Sequence, residues 1–400
     1  LEQRLVNKKF EIIADKEGLL PIKITAFYKK KIDEEVAALG GNLGPLHRVA
    51  LPTAERLALA APREVKDFVD DRSNSRGHLH KTFMIRKYAE RMLYLPTSHC
   101  VGNCQYCFRT DVLTENTSGA LDSFRDELVQ LTSYLKQNPA VTELILSGGD
   151  PLTLPFGQLQ EIFETVSCVP TVKNFRIHTR SIVYGPNAFT REKISLFKKH
   201  AVRIVFHIVH PYEVCEVVAE KINELREAGL RLYNQFPLLR NTNDHHHVIY
   251  RLVEKLELFG VRNLSVYIPD PITFSAAYRV RLSRVWKIID DLNWSSPSWV
   301  NSMRFVFDSS YGKARREDFR YTDVTNDIAY FEREGQLIPY PDFPSQMDVP
   351  GKLDVLLWKG DLSPSCRINV NEQGSTIQEN HGQEEEQIHR ETDYWVPQAG

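Results

Sequence analysis

The stretch Arg91-Met92-Leu93-Tyr94-Leu95-Pro96-Thr97-Ser98-His99-Cys100-Val101-Gly102-Asn103-Cys104-Gln105-Tyr106-Cys107 decides how this chain is read. Its first six residues predict a short β-strand. Its last eight carry three cysteines spaced C-x3-C-x2-C. Three thiolates on one tight loop suit three irons of a [4Fe–4S] cluster, which normally takes four cysteines. The fourth iron is then open to a small molecule. The competing reading is structural zinc, which wants four ligands. His99 and His80 are the neighbours that such a site would recruit.

Beyond this loop, β-rich runs alternate with helical stretches. Strands are predicted at 91–96, 142–146, 173–178, 202–208, 230–236 and 262–268. Helices are predicted at 120–137, 156–167, 190–199, 213–228, 244–259 and 275–291. Gly229 and Gly260 stand where helix C-terminal glycines belong. Six strand–helix units in succession predict parallel pairing with right-handed crossovers. The fold class is α/β, most economically a partial (β/α)6-type barrel. A doubly wound open sheet is the alternative, because sequence does not show closure.

Residues 1–90 read as a mostly helical N-terminal extension, 91–300 as the barrel core, and 301–370 as a C-terminal segment. Residues 371–400, rich in Gln, Glu and Asn, are expected to form a poorly ordered tail. Within the extension, 1–19 show no clear period, and 20–30 (LPIKITAFYKK) read as a short strand or an extended arm. Residues 52–71 read as helix split in two by Pro62, and Ser73-Asn74-Ser75-Arg76-Gly77 as a polar break. A strand at 303–307 runs into Asp308 to Lys313, and the apolar run 353–358 suggests a late strand.

Composition is that of an ordinary soluble domain, with 42% hydrophobic and 26% charged residues. Fifty basic against 52 acidic residues give a net charge of −2, which offers no bulk attraction to nucleic acid or membrane. No run of 18 apolar residues predicts a membrane span, and the charged first ten residues do not read as a signal peptide. Six cysteines, three of them clustered, do not form a disulfide framework. Cys168, Cys215 and Cys366 are scattered. A reducing cytoplasm is the expected location.

The unusual residues fall at strand ends, where parallel (β/α) folds keep their chemistry. Ser147-Gly148-Gly149-Asp150-Pro151 follows the second strand, and Thr179-Arg180 follows the third. His207 and His210 close the fourth, Asn234-Gln235 the fifth, and Tyr267 with Asp270 the sixth. Asp308 and Lys313 follow the last run. Each has a plain reading too. The glycines and aspartate suit a strand-to-helix turn, and the two histidines suit hydrogen-bonded strand ends. Lys313 is either a solvated lysine or an amine able to form a Schiff base with pyridoxal phosphate (PLP). His245-His246-His247 opens a helix, whose consecutive positions face different ways, and is taken as surface.

From about residue 20 to 315 the chain resembles the lysine 2,3-aminomutase family of radical S-adenosylmethionine (SAM), PLP-dependent enzymes. The motifs, in order, are LPIKITAFY, YAERMLYLPTSHC, LILSGGDPL, HPYE, AGLRLYNQFPLL with NTND, YIPDPITFSAAYRV and FVFDSSYGK. The resemblance implies a radical SAM barrel with Cys100, Cys104 and Cys107 on the cluster. SAM would chelate the open iron and be cleaved to a 5′-deoxyadenosyl radical. Gly148, Gly149 and Asp150 would bind SAM, with Gln235 close by, and Tyr267 would be a further cofactor-binding residue. Arg91 and Lys87 would face the PLP phosphate, and Lys313 would be the PLP lysine. Arg109 would pair with the substrate α-carboxylate, and Asp270 and Asp308 with its side-chain ammonium.

The implied activity moves the α-amino group of a basic amino acid, most simply L-lysine, from C2 to C3. The implied cofactors are a [4Fe–4S] cluster, SAM and PLP. The implied partners are an amino acid and a flavodoxin- or ferredoxin-like electron donor, with neither nucleic acid nor membrane. Two alternatives stay open: a barrel of this kind with other radical chemistry or another amino acid, and a non-catalytic iron–sulfur protein. Three departures stand out. The family's glycine run before the lysine is here Ser309-Ser310-Tyr311-Gly312, two residues shorter. Thr110 and Asp111 replace basic residues after Arg109. The family's C-terminal zinc cysteines have no counterpart, which leaves a homo-oligomer open.

Overall fold

The computed structural model describes residues 2–70, 79–81, 83–116, 124–360, 368–370 and 376–378. The break at 73–77, the side chains of His80 and Asp111, Cys366 and nearly all of the 371–400 tail lie outside them.

Ten strands form one sheet in strict chain order: β1 (Leu79–Lys81), β2 (Met84–Arg86), β3 (Arg91–Tyr94), β4 (Glu143–Leu146), β5 (Asn174–Thr179), β6 (Arg203–Phe206), β7 (Arg231–Pro237), β8 (Arg262–Tyr267), β9 (Arg304–Ser309) and β10 (Gly312–Ala314). Every neighbouring pair from β3 to β9 is parallel. β1 and β2 precede them, and β10 follows, as antiparallel edges. A doubly wound sheet reverses strand order at a switch point. This one does not, so it is the predicted partial barrel, with no pairing of β1 to β10 among the described residues.

Packing explains the pattern. Helix Phe156–Ser167 buries Leu159, Ile162, Phe163 and Val166, the spacing of one helical face. Phe163 meets Phe175 of β5 edge-on at 5.2 Å between ring centroids. Along β5 buried and half-buried residues alternate, so Phe175 and Ile177 face the helices. Arg176 and His178 face the other side, where they line a cavity.

Several elements differ from their sequence reading. Residues 2–17 are helical, although only Phe10 and Ala14 are buried, which left no period to read. Residues 52–71 do not form two helices. A single helix, Ala54–Ala58, is capped by the Thr53 hydroxyl, and beyond it Val65 bridges to Ile272 in extended form. Pro62 favours extended backbone at the residue before it. The helix expected at 275–291 runs from Leu282 to Ser295. The run at 353–358 is a short helix, Leu353–Leu356, not a strand. Leu356 and Leu357 are both buried, which alternation does not allow. An unforeseen antiparallel sheet of β11 (Phe319–Asp323), β12 (Ile328–Arg333) and β13 (Gln336–Pro341) packs Phe331 and Tyr340 against Phe307 of β9. No helix among the described residues is long and apolar enough to cross a membrane.

The N-terminal helices brace the barrel. Helix Ala26–Ala38 buries Tyr28, Lys31, Ile32 and Glu35 on one face. Glu35 accepts hydrogen bonds from the backbone of Leu46 and His47 (2.8 and 2.9 Å), so it caps helix Pro45–Ala50 from a distance. Gly44 is required there, since a Cβ would lie 2.4 Å from the Glu35 carboxyl carbon. Burial pushes the Glu35 carboxyl up to about 7, against the downward pull of those backbone donors. An acid raised this way stabilises the fold below its unfolded value of 4.5 and loses that contribution as pH climbs through 7. Denaturant melts at pH 5 and pH 8 should therefore show wild type weakened at the higher pH. Glu35→Gln, which does not titrate, should narrow that difference and leave a capping defect of about 1 kcal/mol at both.

Candidate active site

One cavity of about 900 Å³ opens along the inner face of the sheet. The cysteine loop forms one wall, and residues of β3, β4, β5, β7, β8, β9 and β10, the turn after β4 and the N-terminal extension contribute to the others. The loop is held from behind by the N-terminal extension. Asn103 donates its backbone N–H to Lys23 (2.8 Å) and its side-chain amide to Pro21 (2.9 Å). Gln105 donates to the Val49 carbonyl at 2.9 Å, and Lys23 Nζ reaches the Cys100 carbonyl at 2.7 Å. Residues 20–25 thus form an arm that clasps the loop, whereas 26–30, expected to continue it, open helix Ala26–Ala38.

Cys100, Cys104 and Cys107 are free thiols that line this cavity together. Burial pushes all three up, Cys107 to about 11. At Cys104 the Arg180 guanidinium and the Tyr184 and Tyr106 hydroxyls pull the other way. Three unpaired thiols on one loop fit a cluster that leaves an iron open. A structural zinc would need a fourth ligand.

Gly148 and Gly149 lie directly on the cysteine loop. Gly149 N–H donates to Thr97 O (2.8 Å) and Asp150 N–H to His99 O (2.7 Å). A Cβ on Gly149 would sit 2.3 Å from the His99 oxygen, and Gly148 takes a φ of +101°. Asp150 is buried and occupied by protein. Its carboxylate accepts from Leu152 N, Thr179 Oγ1, Arg180 N and Ser181 N at 2.8–3.0 Å. It shapes the turn and ties it to β5. The turn has the geometry of the plain cap, and all three residues also line the cavity.

A polar chain crosses the opposite wall. Lys313 Nζ donates to Tyr267 Oη at 2.7 Å and to Asp308 at 3.0 and 3.3 Å. Tyr267 Oη donates to Gln235 Oε1 at 3.3 Å. Gln235 Nε2 lies 2.9 Å from His207 Nε2 and 3.4 Å from His178 Nδ1. An amide nitrogen only donates, so both ring nitrogens accept and each imidazole carries its proton on the other nitrogen. Burial, helped by Arg180 and Arg109, drops His207 to about 3, and His178 lies well below its ordinary value for the same first reason. His178 Nε2–H is then a buried donor with no partner among the described residues, in a cavity wall. It fits a ligand with hydroxyl or carboxylate oxygens.

Lys313 and Asp308 are cross-strand partners in the β9–β10 hairpin. The shortened segment leaves only Ser310 and Tyr311 in the turn, with Gly312 at φ +89°. Burial pulls the Lys313 pKa down, but Asp308 and Tyr267 outweigh it and the net direction is up. Asp270 lines the cavity at the end of β8, in a turn held by the bridge to Val65. Arg109 Nη1 donates to Ser147 Oγ at 3.0 Å. Arg91 stacks 3.7 Å over Tyr88 and pairs with Glu90, and Lys87 donates to the Val69 carbonyl. All three line the cavity as well, as do Arg304, Arg315 and Arg333, which sequence reasoning passed over. A lysine amine beside such a cationic wall fits a phosphorylated aldehyde.

His207 and His210 separate. His210 is fully buried, bonded to Leu356 O at 3.1 Å and capping Tyr212 N, so it is structural. His245-His246-His247 is less exposed than a surface run. Its rings stack on one another at 4.0–5.0 Å, and His246 faces Asp291 at 3.4 Å. Their nitrogens converge within 4.8 Å. A helix N-terminus disfavours a cation, so we assign no metal there. Arg180 and Tyr184, behind Cys104, carried no signal in the sequence beyond the strand-end position of Arg180.

Several known proteins resemble this chain. Residues 90–203 match the family model of the 4Fe-4S single cluster domain. The L-lysine 2,3-aminomutase of Buchnera aphidicola is 33% identical over 56% of this chain and 66% of its own length. That of Clostridium subterminale is 30% identical over 72% of this chain and 66% of its own. The chain thus spans just under two-thirds of these relatives. The solved structure of Streptococcus suis SuiB bound to precursor peptide SuiA aligns at 12% identity and a TM-score of 0.40, over 57% of this chain and 50% of that one. With its cysteine triplet, its glycine turn and these relatives, the chain belongs to the lysine 2,3-aminomutase family of radical SAM proteins.

Proposed function

We propose that this chain is a radical SAM, PLP-dependent aminomutase that moves the α-amino group of a basic amino acid, most simply L-lysine, from C2 to C3. The observation that supports this best is the shared cavity. Three cysteines line one wall, and Lys313, Asp308 and Asp270 line another. When bound, the cluster with SAM supplies a carbon-centred radical, and PLP supplies an electron sink.

The chain's own residues bind, orient and move protons. Arg109 holds the α-carboxylate through its guanidinium. Asp270 and Asp308 take the side-chain ammonium, and an acidic side chain would meet like charge there. Arg91 and Lys87 face the cofactor phosphate. Lys313 acts as an amine nucleophile only after losing its proton to solvent, which leaves the Asp308 carboxylate, 3.0 Å away, to take the substrate's ammonium. Tyr267 keeps the amine aimed while this happens. The electron comes from a one-electron carrier of flavodoxin or ferredoxin type, in a reducing cytoplasm.

The Lys313–Asp308 pair favours a second reading, in which the same barrel runs radical chemistry without PLP. A protein-bound PLP absorbance band that Lys313→Ala abolishes supports the first reading, and a wild-type protein with no such band supports the second. Cys104→Ala should eliminate the iron–sulfur absorbance and SAM cleavage in anaerobic protein, whereas Cys168→Ala and Cys215→Ala should keep both. Asp270→Asn should weaken lysine turnover, measured as kcat/KM, by at least about tenfold, since a charge-assisted bond contributes roughly 1.5–3 kcal/mol. Its cluster and PLP absorbance should survive. Wild-type activity on glutamate with none on lysine would remove the basic-substrate assignment.

A further inference from the structure

Tyr184 closes the short helix Ser181–Tyr184 behind the cysteine loop and is 1% exposed. Its hydroxyl donates to Cys104 Sγ at 3.8 Å. A buried phenol needs a partner for its O–H, and here that partner is a sulfur.

The phenol is aimed by its surroundings. Asp150 holds the start of the helix through Ser181 N, and the Thr25 hydroxyl donates to the Tyr184 carbonyl at its end. The ring packs on Tyr28 with centroids 4.6 Å apart. On the loop side it lies so close to Gly102 that a Cβ there would fall 2.6 Å from the ring. The Arg180 guanidinium lies 5.1 Å from the ring centroid but is paired with buried Glu213. Its field at the sulfur is therefore partly cancelled, while the hydroxyl dipole is aimed directly at it.

We infer that Tyr184 is a positioning residue that tunes the metal centre: its O–H bond to the Cys104 sulfur raises the potential at which the cluster accepts an electron. This rests on reading Cys100, Cys104 and Cys107 as cluster ligands. Reduction places more negative charge on the sulfurs, so a donor to one of them stabilises the reduced form more than the oxidised form. One electron enters from the external carrier, the iron is reduced, and the phenol proton stays on Tyr184.

The test uses the full chain, reconstituted anaerobically with iron and sulfide, as wild type and Tyr184→Phe. Iron and sulfide content and the EPR signal of the reduced protein test the cluster reading itself, and wild type without a cluster would overturn both. The inference is read from a redox titration. A neutral hydrogen bond is worth about 1 kcal/mol. At fixed ambient potential the reduced-to-oxidised ratio should accordingly fall about fivefold in Tyr184→Phe, a drop of about 40 mV for one electron. Resonance Raman gives a second readout. Iron–sulfur stretching bands of wild type should shift in D2O, and at least one such shift should vanish in the variant. An unchanged potential with unchanged bands overturns the inference. So does loss of the cluster in Tyr184→Phe, which would make the hydroxyl structural.

Discussion

Two backbones touch at the centre of this structure, and most of the site follows from that contact. The turn after β4 lies on the cysteine loop closely enough for Gly149 and Asp150 to donate to Thr97 and His99. No side chain fits between them. The contact fixes the cysteine loop against the sheet and leaves the Asp150 carboxylate pointing at the end of β5. There it gathers the Thr179 hydroxyl and the Arg180 and Ser181 amides. The chain then turns through Ser181–Tyr184 and returns to Cys104. Loop, turn, strand end and helix close a circuit, so a shift in one member is felt by the others.

The N-terminal extension grips this circuit from outside through buried charge. Glu213 pairs with Arg180 and also accepts from Tyr28 Oη at 2.6 Å and Val209 N at 2.8 Å, while its carbonyl takes Lys31 Nζ at 2.8 Å. Removing one partner of a buried pair strands the other, which costs about 3–5 kcal/mol. Helix Ala26–Ala38 is therefore part of the site's frame, since Tyr28 and Lys31 reach Glu213 and Thr25 fixes Tyr184. Together with the arm at 20–25 it sets where the cysteines sit.

The barrel strands were legible because parallel strands buried between layers read as dense β-rich runs at regular intervals. Their ends were legible for the same reason: Cys100, Gly148, Gln235, Tyr267 and Asp308 each fall where a strand stops. Elements outside the barrel lacked such a signature. β11 is half exposed, with Arg320 and Tyr321 facing solvent, so its sequence FRYTD reads as loop. Helix Glu2–Glu17 buries too little to show a period. Tyr184 was invisible because its meaning lies in contacts with Gly102 and Cys104, some eighty residues earlier in the chain. The pairing of Lys313 with Asp308 was equally hidden. Sequence places both near the site, but only the hairpin register makes them face each other.

That register bears on substrate choice. With two residues in the turn, the Lys313 ammonium has no slack and rests between Asp308 and Tyr267. The pair holds the lysine charged, which silences its amine, and it holds the aspartate neutralised, which lets the carboxylate stay in a half-buried wall. Neither can be freed without leaving the other's charge uncompensated. In the proposed reaction Lys313 gives up its proton, and Asp308 then needs a new cation. A substrate with a side-chain ammonium brings one, and a neutral or acidic amino acid does not. The carboxylate that silences Lys313 by pairing with it would thus be the group that favours a basic substrate once the lysine is engaged.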